Sequence, residues 1–97
     1  MHGRLFVYIL ASGRNGTLYI GVTTNLAKRM HQHKNEFVDG FTKKYNVKNL
    51  VYFESYPELQ AARQRERSMK KWNRAWKMEL IEGANPRWDD LYESLLK

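Results

Sequence analysis

Glu66 is the one acid within a strongly basic stretch, and its chemistry there is that of a magnesium ligand. Residues 60–78 hold seven Lys and Arg side chains against this single carboxylate, a net charge of +6. Mg²⁺ takes one or two carboxylates, keeps several waters and binds the phosphate oxygens of a substrate. The alternative is an ordinary i, i+4 pair with Lys70, which stabilises a helix by roughly a few tenths of a kcal/mol.

Arg29 and His33 form a second candidate pair, because a spacing of four residues puts both on one face of a helix. Arginine offers a planar, permanently charged fork that matches phosphate, and histidine can take or give a proton near neutral pH. The alternative is a polar helix face with a surface histidine. His31 and His33 are two residues apart and point to different faces, which argues against a metal site built on both.

The basic stretch favours a partner that carries phosphate. The whole chain has 17 Lys and Arg residues against 10 Asp and Glu residues, a formal charge of +7. Lys and Arg contacts supply most of the sequence-independent affinity for nucleic acid, so we interpret residues 60–78 as a surface that faces phosphate rather than as a solvated helix. Trp72 and Trp76 lie four residues apart in this stretch, and we assign both mainly to the core rather than to base stacking.

The elements that position these residues begin with a hairpin. Residues 4–12 and 17–23 are apolar and rich in β-forming residues, and the Gly-Arg-Asn-Gly sequence between them indicates a turn. Both strands are apolar on both faces, which predicts that helices cover at least part of the sheet. Gly21 indicates a bulge or a close backbone approach. Tyr8 and Tyr19 lie on these strands, where tyrosines are by default core residues.

Helix and strand signals organise the rest of the chain, and the length of 97 residues predicts a single domain, 1–97. A helix capped by Thr24 or Asn25 runs to about Lys34, and residues 35–48 are interpreted as a basic loop. The later elements are a strand at 49–55, helices at 57–71 and 74–82, the second stopped by Gly83, and a short helix at 86–96 capped by Asn85. The order β-β-α-β-α-α-α predicts an α/β or α+β fold around a small, mostly antiparallel sheet.

The composition excludes several kinds of site. Because the chain has no cysteine, it has no disulfide framework, no thiolate zinc site and no cysteine nucleophile. Its longest unbroken apolar run is residues 5–11, whereas about 20 residues are needed to cross a bilayer. We therefore predict a soluble, cytoplasmic protein without a membrane partner.

Five of these residues stand in the order and spacing of a known motif set. The segment Val7-Tyr8-Ile9 and the segment Tyr19-Ile20-Gly21 are followed by Arg29, His33 and Glu66. Together they resemble the GIY-YIG nuclease superfamily, and in particular its small single-domain bacterial branch. Val7 replaces the glycine of the first motif, which is a backbone and packing position and leaves the tyrosine in place.

The resemblance implies a fold and an activity. The fold is a central three-stranded antiparallel sheet flanked by helices, with a core over about residues 4–82 and a C-terminal helix over about 86–96. The activity is that of an endonuclease that depends on a divalent metal ion and hydrolyses phosphodiester bonds in nucleic acid, DNA rather than RNA, in repair, recombination or processing. One Mg²⁺ or Mn²⁺ ion is implied as the cofactor.

The resemblance also implies roles for particular residues. Glu66 would hold the metal ion, and Arg29 would stabilise the negative charge of the transition state. The general base would be Tyr8 or Tyr19, with His33 as an alternative base or as its relay. From the charge pattern, the residues expected to contact nucleic acid are Lys28, Lys34, Arg63, Lys70 and Lys71.

Two other functions stay open at this point. One is a nucleic-acid-binding module without catalysis, since the basic surface would bind phosphate in either case. The other is an interaction domain that docks through a helix in residues 88–96. For a nuclease, a protein partner could supply the targeting to a substrate.

Overall fold

A three-stranded antiparallel sheet forms the centre of the fold, as described by a computed structural model for residues 4–35 and 40–96. Its strands are β1 (Leu5–Ala11), β2 (Leu18–Thr23) and β3 (Asn49–Tyr56), in the spatial order β2-β1-β3. The central strand pairs antiparallel with both neighbours, and the Cα of Tyr8 lies opposite that of Gly21. The predicted hairpin and the three-stranded antiparallel sheet are therefore confirmed.

Five helices accompany the sheet in the described part of the chain. They are α1 (Leu26–Lys34), α2 (Phe41–Lys44), α3 (Leu59–Lys71), α4 (Arg74–Ala84) and α5 (Tyr92–Leu95). Within the ranges 4–35 and 40–96, none is long and apolar enough to span a membrane.

The central strand β1 is buried on both faces, as its unbroken apolar sequence predicts. Val7 and Ile9 point to one side, where they pack with buried residues of α3 and α4, namely Ala62, Met69 and Ile81. Tyr8 and Leu10 point to the other side and pack with Leu26 and Met30 of α1. Each fully buried aliphatic side chain contributes about 1.5–3 kcal/mol, so the sheet is held between two layers of helices.

Asn25 fixes the start of α1, and with it the direction of Arg29 and His33. The side-chain oxygen of Asn25 accepts a hydrogen bond from the backbone N–H of Lys28 at 3.1 Å, which satisfies a donor at the helix start. The hydroxyl of Thr23 accepts one from the N–H of Asn25 at 3.2 Å. Of the two predicted caps, Asn25 is the one that the structure uses.

A half-buried ion pair links α3 to β3. The carboxylate of Glu54 on β3 accepts hydrogen bonds from Nε of Arg65 and from the hydroxyls of Tyr52 and Tyr56, each at 2.6 Å. Burial acts to raise the pKa of Glu54, but these three donors outweigh it and hold that pKa below its ordinary value. This network fixes the rotation of α3 about its axis. Because Arg65 directly precedes Glu66, that rotation sets the direction of the Glu66 side chain.

Three predicted boundaries are wrong. Pro57 stays outside α3, which begins at Leu59 with Glu58 as its N-cap. Gly83 does not stop α4, because it lacks a left-handed backbone conformation and the helix continues to Ala84. The segment interpreted as a basic loop contains α2, whose end is closed by a hydrogen bond from the N–H of Val47 to the carbonyl of Thr42 at 2.8 Å. Positions 36–39 of that loop lie outside the described residues.

The predicted helix at 86–96 is also wrong, since only Tyr92–Leu95 is helical. Residues 85–91, here called the C-terminal strap, bond to β3 instead. The side-chain amide of Asn85 donates to the carbonyl of Val51 at 3.0 Å, and the N–H of Leu91 donates to the carbonyl of Leu50 at 2.7 Å. Trp88 is buried, so the strap does not present the docking helix that the interaction-domain hypothesis requires.

The two tryptophans of the basic stretch lie in different surroundings. Trp72 caps the end of α3 and packs against the core, with the guanidinium of Arg65 over its ring at 4.9 Å. Trp76 follows the break between α3 and α4 and is 56% exposed. The assignment to the core therefore holds for Trp72 and is wrong for Trp76.

Gly21 provides a test of how the sheet accommodates the Tyr8 ring. A Cβ at Gly21 would lie 2.5 Å from the hydroxyl oxygen of Tyr8 and 2.7 Å from Cζ, so the close approach predicted for this glycine is confirmed. We expect Gly21→Ala to lower the free energy of unfolding by about 1–3 kcal/mol, because the ring must move. Urea unfolding monitored by circular dichroism measures this change.

Gly83→Ala is the matched control. Nothing lies within 4 Å of a Cβ at this helical position, so the substitution should raise stability by about 0.5–1 kcal/mol through helix propensity. Equal unfolding midpoints for the two variants would contradict the packing described for Tyr8.

Candidate active site

One cavity of about 440 Å³ receives side chains from β1, β2, α1 and α3. Four of the five residues predicted as catalytic line it, namely Tyr8, Tyr19, Arg29 and Glu66. Tyr8 and Glu66 are 58 positions apart in the sequence, and Arg29 and Glu66 are 37 apart, yet all three line the same cavity. The fold therefore brings a carboxylate, a guanidinium and two phenols to a single opening.

Glu66 lines the cavity and also pairs with a neighbouring lysine on α3. It follows Ala62 by four residues and precedes Met69 by three, and both of these are buried on the side of α3 that packs on the sheet. Its carboxylate also pairs with Nζ of Lys70 at 2.9 Å, with side-chain exposures of 20% for Glu66 and 53% for Lys70. An ion pair this exposed on one side contributes about 0–1 kcal/mol, so the Glu66 carboxylate remains available to another ligand.

His33 is buried and reaches the cavity through the hydroxyl of Tyr8. Its Nε2 lies 3.3 Å from that hydroxyl oxygen, and its Nδ1 lies 3.1 Å from Oγ1 of Thr42, which is also buried. With the proton on Nδ1, the ring donates to Thr42 and accepts from Tyr8. The three side chains then form one chain of hydrogen bonds that leads from the cavity wall into the protein.

Burial sets the protonation states along this chain. It lowers the pKa of His33, and the positive charge of Arg29 lowers it further. It raises the pKa of Tyr8, as do Tyr19 and Glu66, against the opposing effect of Arg29. At neutral pH the site therefore holds a neutral imidazole beside a neutral phenol.

The residues expected to contact nucleic acid lie in different places. Arg63 lines the cavity itself, and Lys28 lines an adjoining pocket that shares Arg29 with it. Lys71 is exposed at the end of α3. Lys34 is directed elsewhere, since its ammonium pairs with Asp90 and donates to the carbonyl of Lys48 at 3.2 Å. The structure does not bring Lys34 to the cavity.

Two features of the site were missed in the sequence. Thr42 belongs to the segment interpreted as a loop, so its bond to the histidine ring was not expected. Thr23 and Thr24 contribute hydroxyl-bearing residues to the cavity wall. A glycine just before an aromatic residue, at Gly40 and Phe41, was the available signal that a new element begins here.

The donor set at the cavity fits a hard cation. Among residues 4–35 and 40–96, no three His, Asp or Glu side chains come together as a ready-made metal cluster. Glu66 supplies one carboxylate, and the other polar groups of the wall include phenol and threonine hydroxyls. One carboxylate with oxygen donors, water and substrate phosphate is a set that Mg²⁺ accepts.

Comparison with known proteins decides the family. Residues 4–79 match the family model described as the GIY-YIG catalytic domain. The chain belongs to the GIY-YIG family. GIY-YIG domains are associated with nuclease-type activity and with nucleic-acid binding, so the family points to that kind of activity.

Relatives of this GIY-YIG protein are themselves small. A UPF0213 protein from Clostridium perfringens is 38% identical over 76 residues, which cover 78% of this chain and 81% of that protein. A UPF0213 protein from Syntrophus aciditrophicus is 37% identical over 82 residues, covering 84% and 92%. The solution structure of a UPF0213 protein from Bacillus halodurans has a TM-score of 0.56 at 23% identity, covering 93% of this chain and 95% of that one, and it supports the fold.

The buried histidine of this GIY-YIG domain makes stability depend on pH. In the unfolded chain His33 titrates near 6.5, whereas its pKa in the folded protein is lower. Between the two values the unfolded state binds the additional proton, so the contribution of His33 to stability is complete above about pH 6.5 and is lost as the pH falls through the folded pKa.

Comparing the wild type with His33→Gln isolates this effect. On the acid side of pH 6.5, we expect the free energy of unfolding, measured with urea, to fall more steeply in the wild type than in the variant. The difference should be up to about 1.4 kcal/mol per pH unit. Parallel dependence of the two free energies of unfolding on pH would contradict the neutral, buried histidine.

Proposed function

We propose that this protein is an endonuclease that depends on a divalent metal ion and hydrolyses phosphodiester bonds in nucleic acid, DNA in preference to RNA. The observation that carries the proposal is the convergence of Glu66, Arg29 and two tyrosines on one cavity. The match to a GIY-YIG catalytic domain supports it independently. We further propose that it acts in the cytoplasm, in repair, recombination or processing of DNA, with targeting supplied by a protein partner.

Arg29 is proposed to bind the scissile phosphate. Its side chain lines both the cavity and the adjoining pocket that contains Lys28, and Arg63 approaches the same cavity from α3. A guanidinium offers two parallel N–H donors to the phosphate oxygens. As a further oxygen adds to phosphorus, negative charge increases at this point, and a fixed cation stabilises it more strongly than it stabilises the ground state.

Glu66 is proposed to hold the metal ion, with water and phosphate oxygens completing the coordination. A bound Mg²⁺ or Mn²⁺ ion would supply polarisation of the phosphate and neutralisation of the charge on the leaving oxygen. Lys70 competes only weakly for the carboxylate, because its own side chain is 53% exposed. Once released, its ammonium is available to the phosphate backbone.

Tyr8 is proposed to accept the proton of the attacking water and to pass its own proton to His33. Burial keeps a free phenolate of Tyr8 unfavourable, so a base that gives up one proton while it takes another avoids that charge. His33 can receive the proton because its ring is neutral and its Nε2 faces the Tyr8 hydroxyl at 3.3 Å. The Thr42 hydroxyl lies 3.1 Å from the other ring nitrogen and can accept a hydrogen bond from it, and this tautomer leaves Nε2 free to take the proton.

Glu66→Gln and Arg29→Ala test the proposed roles directly. Each should reduce the cleavage of plasmid DNA in the presence of Mg²⁺ or Mn²⁺ by about 100-fold or more, since each removes a charge that stabilises the transition state. Circular dichroism checks that each variant is folded. Glu79→Gln is the matched control, because Glu79 is an exposed acid on α4, and it should cleave at the wild-type rate.

Full cleavage by Glu66→Gln would overturn the proposed mechanism. Binding of DNA by the wild type without cleavage, with either ion, would favour the non-catalytic binding module.

The proposed proton transfer from Tyr8 to His33, with Thr42 bonded to the histidine ring, is here called the relay. It predicts a particular dependence of the cleavage rate on pH. The wild-type rate should fall on the acid side as His33 becomes protonated, at a pH below 6.5 because burial and Arg29 lower its pKa. His33→Gln should lose this acid limb together with most of the rate, and Thr42→Val should lower the rate by roughly tenfold. A rate and a pH profile that are unchanged in His33→Gln would exclude the relay.

A further inference from the structure

Two large aromatic side chains, one in α2 and one directly after it, are exposed. Phe41 is 45% exposed and Tyr45, directly after the helix, is 48% exposed. They are four residues apart and share one face, with their ring centroids 4.8 Å apart. We call these two rings the aromatic platform.

Hydrogen bonds of Thr42 fix the backbone that carries the platform. Thr42, the residue after Phe41, is buried and bonds to Nδ1 of His33, and its carbonyl accepts the N–H of Val47. The backbone of α2 is therefore fixed on one side while its rings face outward on the other. A ring held in this way loses little conformational freedom when a ligand stacks on it.

A row of rings connects the platform to the cavity. Phe41 stacks on Tyr19 with centroids 6.2 Å apart and an interplanar angle of 27°. Tyr19 in turn lies 6.3 Å from Tyr8, and both of these tyrosines line the cavity. Any group that stacks on the platform is therefore adjacent to the proposed site of cleavage.

Lysine side chains flank the platform. A groove of about 340 Å³ runs beside it, lined by the apolar and aromatic side chains of Leu18, Tyr19, Ile20 and Phe41 and by Lys70 and Lys77. Nζ of Lys44 lies over the Tyr45 ring, 5.4 Å from its centroid. Aromatic rings flanked by lysines have the chemistry that binds nucleic acid through base stacking and backbone phosphate together.

We propose that the aromatic platform stacks unpaired bases, so that the substrate of this protein contains a single-stranded segment next to the scissile phosphate. The inference rests on the proposed nuclease function and names its substrate class. In a duplex the two faces of each base are covered by its neighbours, so only an unpaired base can offer a face to Phe41 or Tyr45. The neighbouring lysines favour nucleic acid, a polyanion, over an apolar protein surface as the ligand.

Binding without cleavage tests the proposal. The full chain is titrated in EDTA against a fluorescent single-stranded DNA oligonucleotide, the RNA of the same sequence, and the corresponding DNA duplex. Phe41→Leu and Tyr45→Leu keep apolar bulk but remove the aromatic face. Each should weaken single-strand binding by about tenfold, leave duplex binding unchanged, and leave the dependence on salt unchanged.

Two controls separate stacking from other effects. Trp76→Leu removes an exposed ring outside the platform and should bind single strands as the wild type does. Lys77→Gln should weaken the binding of single strands and also reduce the slope of affinity against salt by about one. The DNA and RNA arms show which sugar is preferred, and a loss in either arm upon Phe41→Leu supports the platform.

The outcomes distinguish this proposal from the proposed function. Unchanged single-strand affinity in Phe41→Leu and Tyr45→Leu, or an equal loss on the duplex, overturns the platform and leaves that face to a protein partner. Neither result bears on cleavage, which the Glu66 variant tests. Conversely, full cleavage by Glu66→Gln overturns the nuclease mechanism while the binding titration still reports on the platform.

Discussion

The contact between Gly21 and the Tyr8 ring is the constraint on which the site depends. The two residues face each other across β1 and β2, and the absence of a side chain at Gly21 leaves the space that the ring fills. In this position the ring packs in the core, forms part of the cavity wall and bonds to His33. One missing Cβ thus lets a single tyrosine serve the packing of the sheet and the chemistry of the cavity at once.

Helix α3 carries two neighbouring charges that are used in opposite ways. Arg65 is held in a half-buried network with Glu54 and two tyrosine hydroxyls, and this network orients the helix. Glu66, the next residue, has only a weak partner and faces the cavity. Stability is thus concentrated at one position, while the adjacent carboxylate remains available to a ligand.

Local signals were enough to predict the hairpin, a helix start at Thr24 or Asn25 and the helices that carry Arg29 and Glu66, because caps, turns and apolar runs act over a few residues. Tyr8 and Tyr19 could be singled out only through the resemblance, since their sequence surroundings are those of core residues. The strap was mispredicted because distant backbone groups of Leu50 and Val51 outweigh the local helix signal at Asn85 and Pro86. No local pattern could indicate that Lys34 pairs with Asp90, 56 residues away.

The strap also changes what the outer edge of the sheet offers to other molecules. As an end strand, β3 would leave a row of unpaired backbone groups, the usual template for intermolecular strand addition. The N–H of Leu50 donates to Asp90, its carbonyl accepts from Leu91, and the carbonyl of Val51 accepts from Asn85. These three backbone groups at the start of β3 are therefore satisfied within the chain and are not offered to a strand from another molecule.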